Sequence, residues 1–322
     1  MASEDISKHF TGTYEVQELL EGQDELDLHT QQKNCQKNPG HVGFVPINKF
    51  SISDLPADYQ DDDLYEFTKA LAFRTVRIAV NFTSLLRPEF ATYTKDPYPC
   101  YQYRGENNLC TGTGNMISVS KDMEYMGGYR TCPCPKCESS DNPSKVWWKI
   151  LVATSKHVIF DDSEAKQSSC RLWFDDNNSP VFKIYGWKTD GLSSDLSDSS
   201  NVYFVTHEIE IFNKLKEMEL TYNLLLLKLH QTYQTRDVNK MTIIVSHPHG
   251  CSKQVSVGNW VHRQAACIGF GELDNLGKYA YTNATCPGSS GAMIYRLGNL
   301  MNLYRHSGGS TSGLNFSGLF MG

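Results

Sequence analysis

The chain has 322 residues, 40% of them hydrophobic and 20% charged, with a formal net charge of −6. That is enough material for a buried core in one large domain or two small ones. The negative balance and the lack of any Lys/Arg-rich run argue against nucleic acid or an anionic membrane as partner. No window approaches the length of apolar chain that crosses a bilayer, and the opening "MASEDISKHFTGTYEVQELLEG" lacks the charged-then-apolar layout of a signal peptide. A cytoplasmic location is therefore expected, with the ten cysteines mostly reduced. In that setting the three Asn-x-Ser/Thr matches at Asn81, Asn283 and Asn315 carry little weight.

Residues 1–58 are polar, have few periodic apolar positions and read as an N-terminal extension, loosely ordered or docked on the surface. "DDDLYEFTKALAFRT" follows, with acidic residues at its start and Leu64, Phe67, Leu71 and Phe73 near helical spacing. It predicts a short helix with favourable charge at its N-terminus. The pattern then changes. "TVRIAVNFT", "NMISVS", "WWKILVAT", "VFKIYGW", "NVYFVT", "TIIVSH", "KQVSVG", "AACIGF", "YAYTN", "GAMIYRL" and "LNFSGLF" are short and rich in β-branched and aromatic residues. Gly, Pro, Asn and Asp clusters separate them, which predicts an all-β barrel or sandwich domain over 59–322. "DGLSSDLSDSSN", 190–201, reads as a polar loop. One segment, 211–235, breaks the β pattern: Leu215, Met218, Tyr222, Leu225 and Leu229 recur at three and four residues with Lys and Glu between. It predicts an amphipathic helix inserted among the strands.

Two places carry chemistry. Gly288-Ser289-Ser290-Gly291-Ala292 sets a serine between glycines just before an apolar segment. Glycines there let the backbone bend sharply, and the N–H groups of Gly288 and Ser290 can then converge into an oxyanion hole. The alternative is a Ser/Gly turn and nothing more. "ILVATSKHVIF" ends an apolar strand in Ala-Thr and brings His157 next to it, 133 residues before Ser290. A histidine at a strand edge in that order suits a general base for Ser290.

"ATSKHV" and "TCPGSSGA" resemble the Ala-Ala-His and Gly-Asp-Ser-Gly-Gly segments of the trypsin-like, chymotrypsin-fold (PA clan) serine peptidases. The resemblance spans roughly 74–322 and implies two antiparallel six-stranded β-barrels with the active site between them. It implies serine endopeptidase activity on a protein or peptide substrate, with no cofactor required for catalysis. Ser289 stands where secreted trypsins have the Asp that pairs with a newly cut N-terminus, so activation of that kind is not expected. "YRHSGG", 304–309, resembles the wall of the primary substrate pocket, with His306 and Gly308 lining it. His306 resembles the histidine of the glutamyl-specific branch. An imidazole can donate a hydrogen bond to a carboxylate or amide oxygen. Cleavage after Glu or Gln is expected on that ground. A packing role for His306, with a pocket for small or apolar side chains, is the competing expectation.

The base also needs an acid to orient it. "NLLLLKL" mimics the family's acid-bearing segment and puts Asn223 where Asp belongs, but it lies within the predicted helix. Glu208, in "EIEI" and 51 residues after His157, leaves a predicted strand and is favoured. An inactive pseudopeptidase that binds protein is the alternative if Asn223 holds the position.

Cys132, Cys134 and Cys137 fall within six residues. Thiols this dense suggest a structural zinc site that Cys100, Cys110 or Cys170 could join in space, with the fourth ligand not identified. Reduced thiols or a redox-sensitive disulfide are the alternatives. Cys251, Cys267 and Cys286 read as small apolar core residues. His247 and His249 in "VSHPHGCSK" offer a metal pair, though Pro248 and Gly250 favour a plain turn with no catalytic role.

Overall fold

Alternation of buried and half-buried residues marks the strands most clearly at Trp148–Thr154 and Ser200–Thr206, which pair with each other along their full length. The computed structural model describes residues 6–19, 25–91, 96–121, 130–192, 197–234, 239–268, 271–300 and 304–318. In chain order the strands are β1 (Gly12–Tyr14), β2 (Gln17–Leu19), β3 (Val45–Pro46), β4 (Thr75–Val80), β5 (Leu109–Lys121), β6 (Trp148–Thr154), β7 (Ser168–Leu172) and β8 (Phe182–Thr189). They continue as β9 (Ser200–Thr206), β10 (Met241–Ser246), β11 (Gln254–Ile268), β12 (Gly271–Tyr281), β13 (Ile294–Arg296), β14 (His306–Ser310) and β15 (Asn315–Ser317).

The protein is mostly β. The first sheet runs β2-β5-β4-β7-β8-β9-β6, and a further β5–β6 pairing closes six of its strands into a barrel. Its interior is filled by Val76, Ile78, Met116, Ile150, Val152, Ile184, Val202 and Phe204. The second sheet runs β1-β14-β15-β12-β11-β10-β13, with β3 attached to β11. An isolated bridge between Met293 and Arg305 links the residues just before β13 and β14. Parts of the predicted strands "AACIGF" and "LNFSGLF", part of the 190–201 loop, and the side chain of Cys267 lie outside the described residues.

Helices α1 (Glu25–Lys33), α3 (Pro135–Glu138) and α4 (Asp162–Lys166) are short, and two longer helices pack together over the second sheet's core. α2 (Asp62–Arg74) starts at Asp61, whose side chain accepts from the Leu64 N–H at 3.0 Å, the capping arrangement its acidic start predicts. α5 (Ile209–Thr232) buries Leu215, Tyr222 and Leu229 and half-buries Met218 and Leu225. The Phe67 ring lies 5.1 Å from that of Tyr222.

The first 58 residues differ most from expectation. They supply β1 to the second sheet, β2 to the first and β3 to β11, and they bury Leu19, Leu28, Phe50 and Leu55. Their apolar positions are too widely spaced to show a period, yet Leu19 and Leu28 pack together against Cys251, and Phe50 and Leu55 join the core beneath the two long helices. Between β1 and β2 the chain crosses the seam between the sheets.

Candidate active site

The seam is bolted together by β5 and the turn that carries Ser290. Thr113 N–H donates to Ser290 O at 2.8 Å, Thr113 Oγ1 donates to Gly288 O at 2.8 Å, and Thr113 Oγ1 accepts from His247 N–H at 2.9 Å. Gly288 has φ +94°, and a Cβ there would come 2.7 Å from His247 O. Only glycine meets both demands. The turn is therefore set by backbone contacts, and Ser290 is buried at its apex.

His157 comes from the other sheet, just past the end of β6. Its Nε2 is 2.7 Å from Ser290 Oγ. Its Nδ1 is 2.8 and 2.9 Å from the two carboxylate oxygens of Asp198. Asp198 also accepts from the His157 N–H at 3.1 Å and from Ser307 Oγ at 2.6 Å. Burial pushes the Asp198 carboxyl up, but the His157 charge and these hydrogen bonds outweigh it and hold it below the usual range. With Nδ1–H committed to a carboxylate, Nε2 is left to accept the Ser290 proton. A buried ion pair supports the histidine from behind. Arg87 bonds Glu164 at 2.6 and 2.7 Å and donates to His157 O at 3.0 Å.

The acid is a correction. Glu208 lies at the start of α5, half-exposed, 3.8 Å from Lys136, while the carboxylate on His157 Nδ1 is that of Asp198. Asn223 sits mid-helix in α5 and is exposed. Asp198 lies instead in the stretch read as a polar loop, 41 residues after His157 and two before β9. One signal for it was present in the chain: an Asp placed two serines before the alternating run "NVYFV".

Residues 12–16 run through the cleft. β1 pairs with β14 in antiparallel register, Thr13 opposite Gly309 and Tyr14 opposite Gly308. Glu15 N–H donates to Ser307 O at 3.1 Å and to Ser290 Oγ at 3.2 Å, and Glu15 O accepts from the Gly288 N–H at 2.6 Å. The Tyr14 ring packs 4.7 Å from the His157 ring. The side chain of Glu15 is buried, with Oε2 2.8 Å from His306 Nε2 and Oε1 on Lys37 Nζ. Lys37 Nζ also donates to Thr285 Oγ1 and Asn315 Oδ1, each at 2.7 Å.

The carboxylate that His306 meets is that of the chain's own Glu15. Burial, reinforced by the charges of Lys37 and His157 against that of Asp198, pushes it well below the usual histidine range. The neutral ring takes the Tyr281 hydroxyl, 2.6 Å away, on Nδ1 and donates from Nε2. The positive charge beside Glu15 is that of Lys37, which sequence reading missed. Burial pushes Lys37 down to about 7, with Cys286 opposing, and a carboxylate on the same nitrogen favours its ammonium form. Gly308 faces the backbone of the bound segment, since a Cβ there would meet Thr13 O at 2.1 Å. Gly309 stands nearer the side-chain pocket, its notional Cβ 2.9 Å from Glu15 Oε1.

Away from the seam, Cys132, Cys134 and Cys137 are joined by His207, which follows β9. His207 Nδ1 is 3.5 Å from the sulfurs of both Cys134 and Cys137, and the four ligand atoms lie within 4.8 Å of one another.

No protein-family model and no curated protein matches the chain. Among solved structures it is similar to the HtrA-type protease AlgW with a decapeptide, at 12% identity and TM-score 0.40, covering 79% of this chain and 62% of that one. The crystal structure of Deg5 gives 10% identity and TM-score 0.41, with 83% and 91% covered. The Rv3671c protease in its inactive form gives 12% and 0.37, with 79% and 86% covered. The chain thus spans about 62% of the AlgW chain's length. Similarity at this level leaves the chemistry to be read from the residues themselves.

Proposed function

We propose that the chain is a serine endopeptidase of trypsin-like type that cleaves protein or peptide substrates after glutamate. Ser290 is the nucleophile, His157 the general base and then acid, and Asp198 the group that orients and charges the imidazole. The observation that carries this reading is the His157 ring bonded on one side to Ser290 Oγ and on the other to both oxygens of Asp198. The Gly288 N–H, with that of Ser290 beside it, stabilises the oxyanion, a contribution of about 3–4 kcal/mol per donor in enzymes of this kind. The chemistry calls for no cofactor. The pseudopeptidase alternative drew its weight from Asn223, which lies on the exposed side of a helix.

Preference for glutamate is supported by the pair that receives Glu15: a neutral imidazole donor and an ammonium group. The experiment is labelling with a fluorophosphonate followed by profiling on a peptide library. Stoichiometric label on Ser290, absent from Ser290→Ala, and cleavage after Glu are expected. A wild-type chain that takes no label contradicts the enzyme.

A structural zinc on Cys132, Cys134, Cys137 and His207 belongs to the same proposal. Tetrahedral coordination at ordinary zinc–sulfur and zinc–nitrogen lengths separates ligand atoms by about 3.5 Å, which the His207 distances match. Zinc content that falls by one per chain in Cys134→Ser supports it. All-free thiols and no zinc contradict it.

No helix among the described residues is long and apolar enough to cross a membrane. A reducing, cytoplasmic setting is the one we propose, supported by nine described cysteines with free thiols.

A further inference from the structure

We infer that the protein cleaves itself, within one molecule, at the Glu15–Val16 bond. This rests on the peptidase reading above. The segment 12–19 is laid across the seam as a substrate would be. β1 pairs with β14 on one side of Ser290, and β2 pairs with β5 on the other, Gln17 opposite Thr111. The bond between the two strands is the one that passes over the serine. Glu15 N–H sits on Ser307 O and beside Ser290 Oγ, while Glu15 O sits on the Gly288 N–H. These contacts hold the Glu15 carbonyl next to the nucleophile with its oxygen turned to the donor that would stabilise an oxyanion. The side chain of Glu15 fills the pocket of His306 and Lys37. An arbitrary strand crossing the seam has no need of an acidic residue at that one position.

The step balances with water alone. Ser290 Oγ bonds to the Glu15 carbonyl carbon as its proton passes to His157 Nε2. The C–N bond to Val16 then breaks, and His157 returns the proton to the Val16 amine. Water, deprotonated by His157, hydrolyses the Glu15 ester and restores Ser290. The products are a Glu15 carboxylate and a chain beginning at Val16.

The test is intact mass and N-terminal sequencing of purified wild type and Ser290→Ala, with fluorophosphonate labelling of the wild type alongside. A new N-terminus at Val16 in the wild type only is expected, and Ser290→Ala mixed with wild type should stay intact, because its own segment fills its own cleft. A wild type that takes label yet keeps residues 1–15 attached overturns self-cleavage and spares the peptidase. A wild type that neither labels nor shortens overturns both. Cleavage of Ser290→Ala, alone or by added wild type, overturns the intramolecular step.

A different observation carries a second inference: we infer that Cys35, His41, His249 and Cys286 form a metal centre suited to zinc. Their ligand atoms lie within 4.8 Å of one another, with the two sulfurs 3.6 Å apart. His249 is 3% exposed, and its Nδ1 lies 2.8 Å from Gln17 Oε1. That oxygen can only accept, so Nδ1 carries the proton and Nε2 presents a lone pair. Nε2 of His249, like that of His41, is buried with no hydrogen-bond partner. Buried polar atoms are rarely left so, and two thiolates with two imidazoles make a zinc set. The centre would tie residues 35–41 to the turn that holds Gly288.

Zinc content per chain and chelator-dependent alkylation of wild type, mapped to individual cysteines, test this. The expected results are one zinc fewer in His41→Ala and alkylation of Cys35 and Cys286 that rises at least tenfold after chelation. Zinc content unchanged in His41→Ala overturns the site. If that variant fails to fold, the wild-type alkylation decides: reactivity indifferent to chelation, or a Cys35–Cys286 disulfide, overturns it.

Discussion

Asp198 bonds the His157 ring through both carboxylate oxygens, at 2.8 and 2.9 Å from Nδ1, and accepts the backbone N–H of the same histidine. The carboxylate thereby fixes the position of the residue, its ring orientation and its tautomer. Asp198→Asn would leave the packing in place but favour the wrong tautomer, and a loss of about 10⁴-fold in kcat is expected by comparison with the chymotrypsin template. Glu208→Gln should leave kcat within about twofold, because surface pairs such as Glu208–Lys136 contribute little. Steady-state rates on a glutamate-containing peptide check both.

The same carboxylate sets a pH dependence of stability. Its pKa in the folded protein lies below the ordinary value, so its contribution is complete above the unfolded pKa of about 3.9 and is lost as pH falls through the lower folded value. The gap in Tm between wild type and Asp198→Asn should therefore shrink as the pH falls below about 4. Thermal melts across pH 2–5 read this directly, and a gap that widens below pH 4 contradicts it.

Gly288→Ala tests the oxyanion donor. The backbone there has φ +94°, and the added Cβ would meet His247 O at 2.7 Å and the Gly250 and His249 nitrogens at 2.8 Å. The turn must shift, and the N–H that now lies 2.6 Å from Glu15 O moves with it. A fall of about 10²–10³-fold in kcat is expected, with KM changed far less.

Substitution of the pocket pair should separate selectivity from turnover. His306→Ala removes a donor to the glutamate carboxylate, and a hydrogen bond to a charged group contributes about 1.5–3 kcal/mol. That corresponds to a fall of about 10–100-fold in kcat/KM for peptides cleaved after Glu. Profiling should show the preference moving toward uncharged side chains. A Glu preference that survives both His306→Ala and Lys37→Met assigns recognition elsewhere.

The sequence carries the β content, both long helices, His157 and Ser290 in plain view, because each depends on local pattern. α5 is legible from apolar spacing, and the glycines around Ser290 from the turn they permit. Asp198 was hidden for two reasons. It sits among several similar Asp and Ser residues in a loop, and "NLLLLKL" offered a better match in letters while its periodicity belonged to a helix. Glu15, Lys37 and His207, the fourth residue beside the three cysteines, were hidden by distance along the chain. His306 and Glu15 meet across 291 residues, and no local signal announces such a contact. The strands within 1–58 were not legible for the same cause: short strands completed by partners elsewhere leave no period of their own.

The most direct measurement is turnover of a glutamate-containing fluorogenic peptide by wild type, Ser290→Ala, His157→Ala and the double variant. Groups that act as one unit are not additive. Each single change is therefore expected to lower kcat by about 10⁶-fold, with the double variant no worse than either. Hydrolysis that persists in Ser290→Ala, or losses in the two single variants that multiply in the double, would contradict the account.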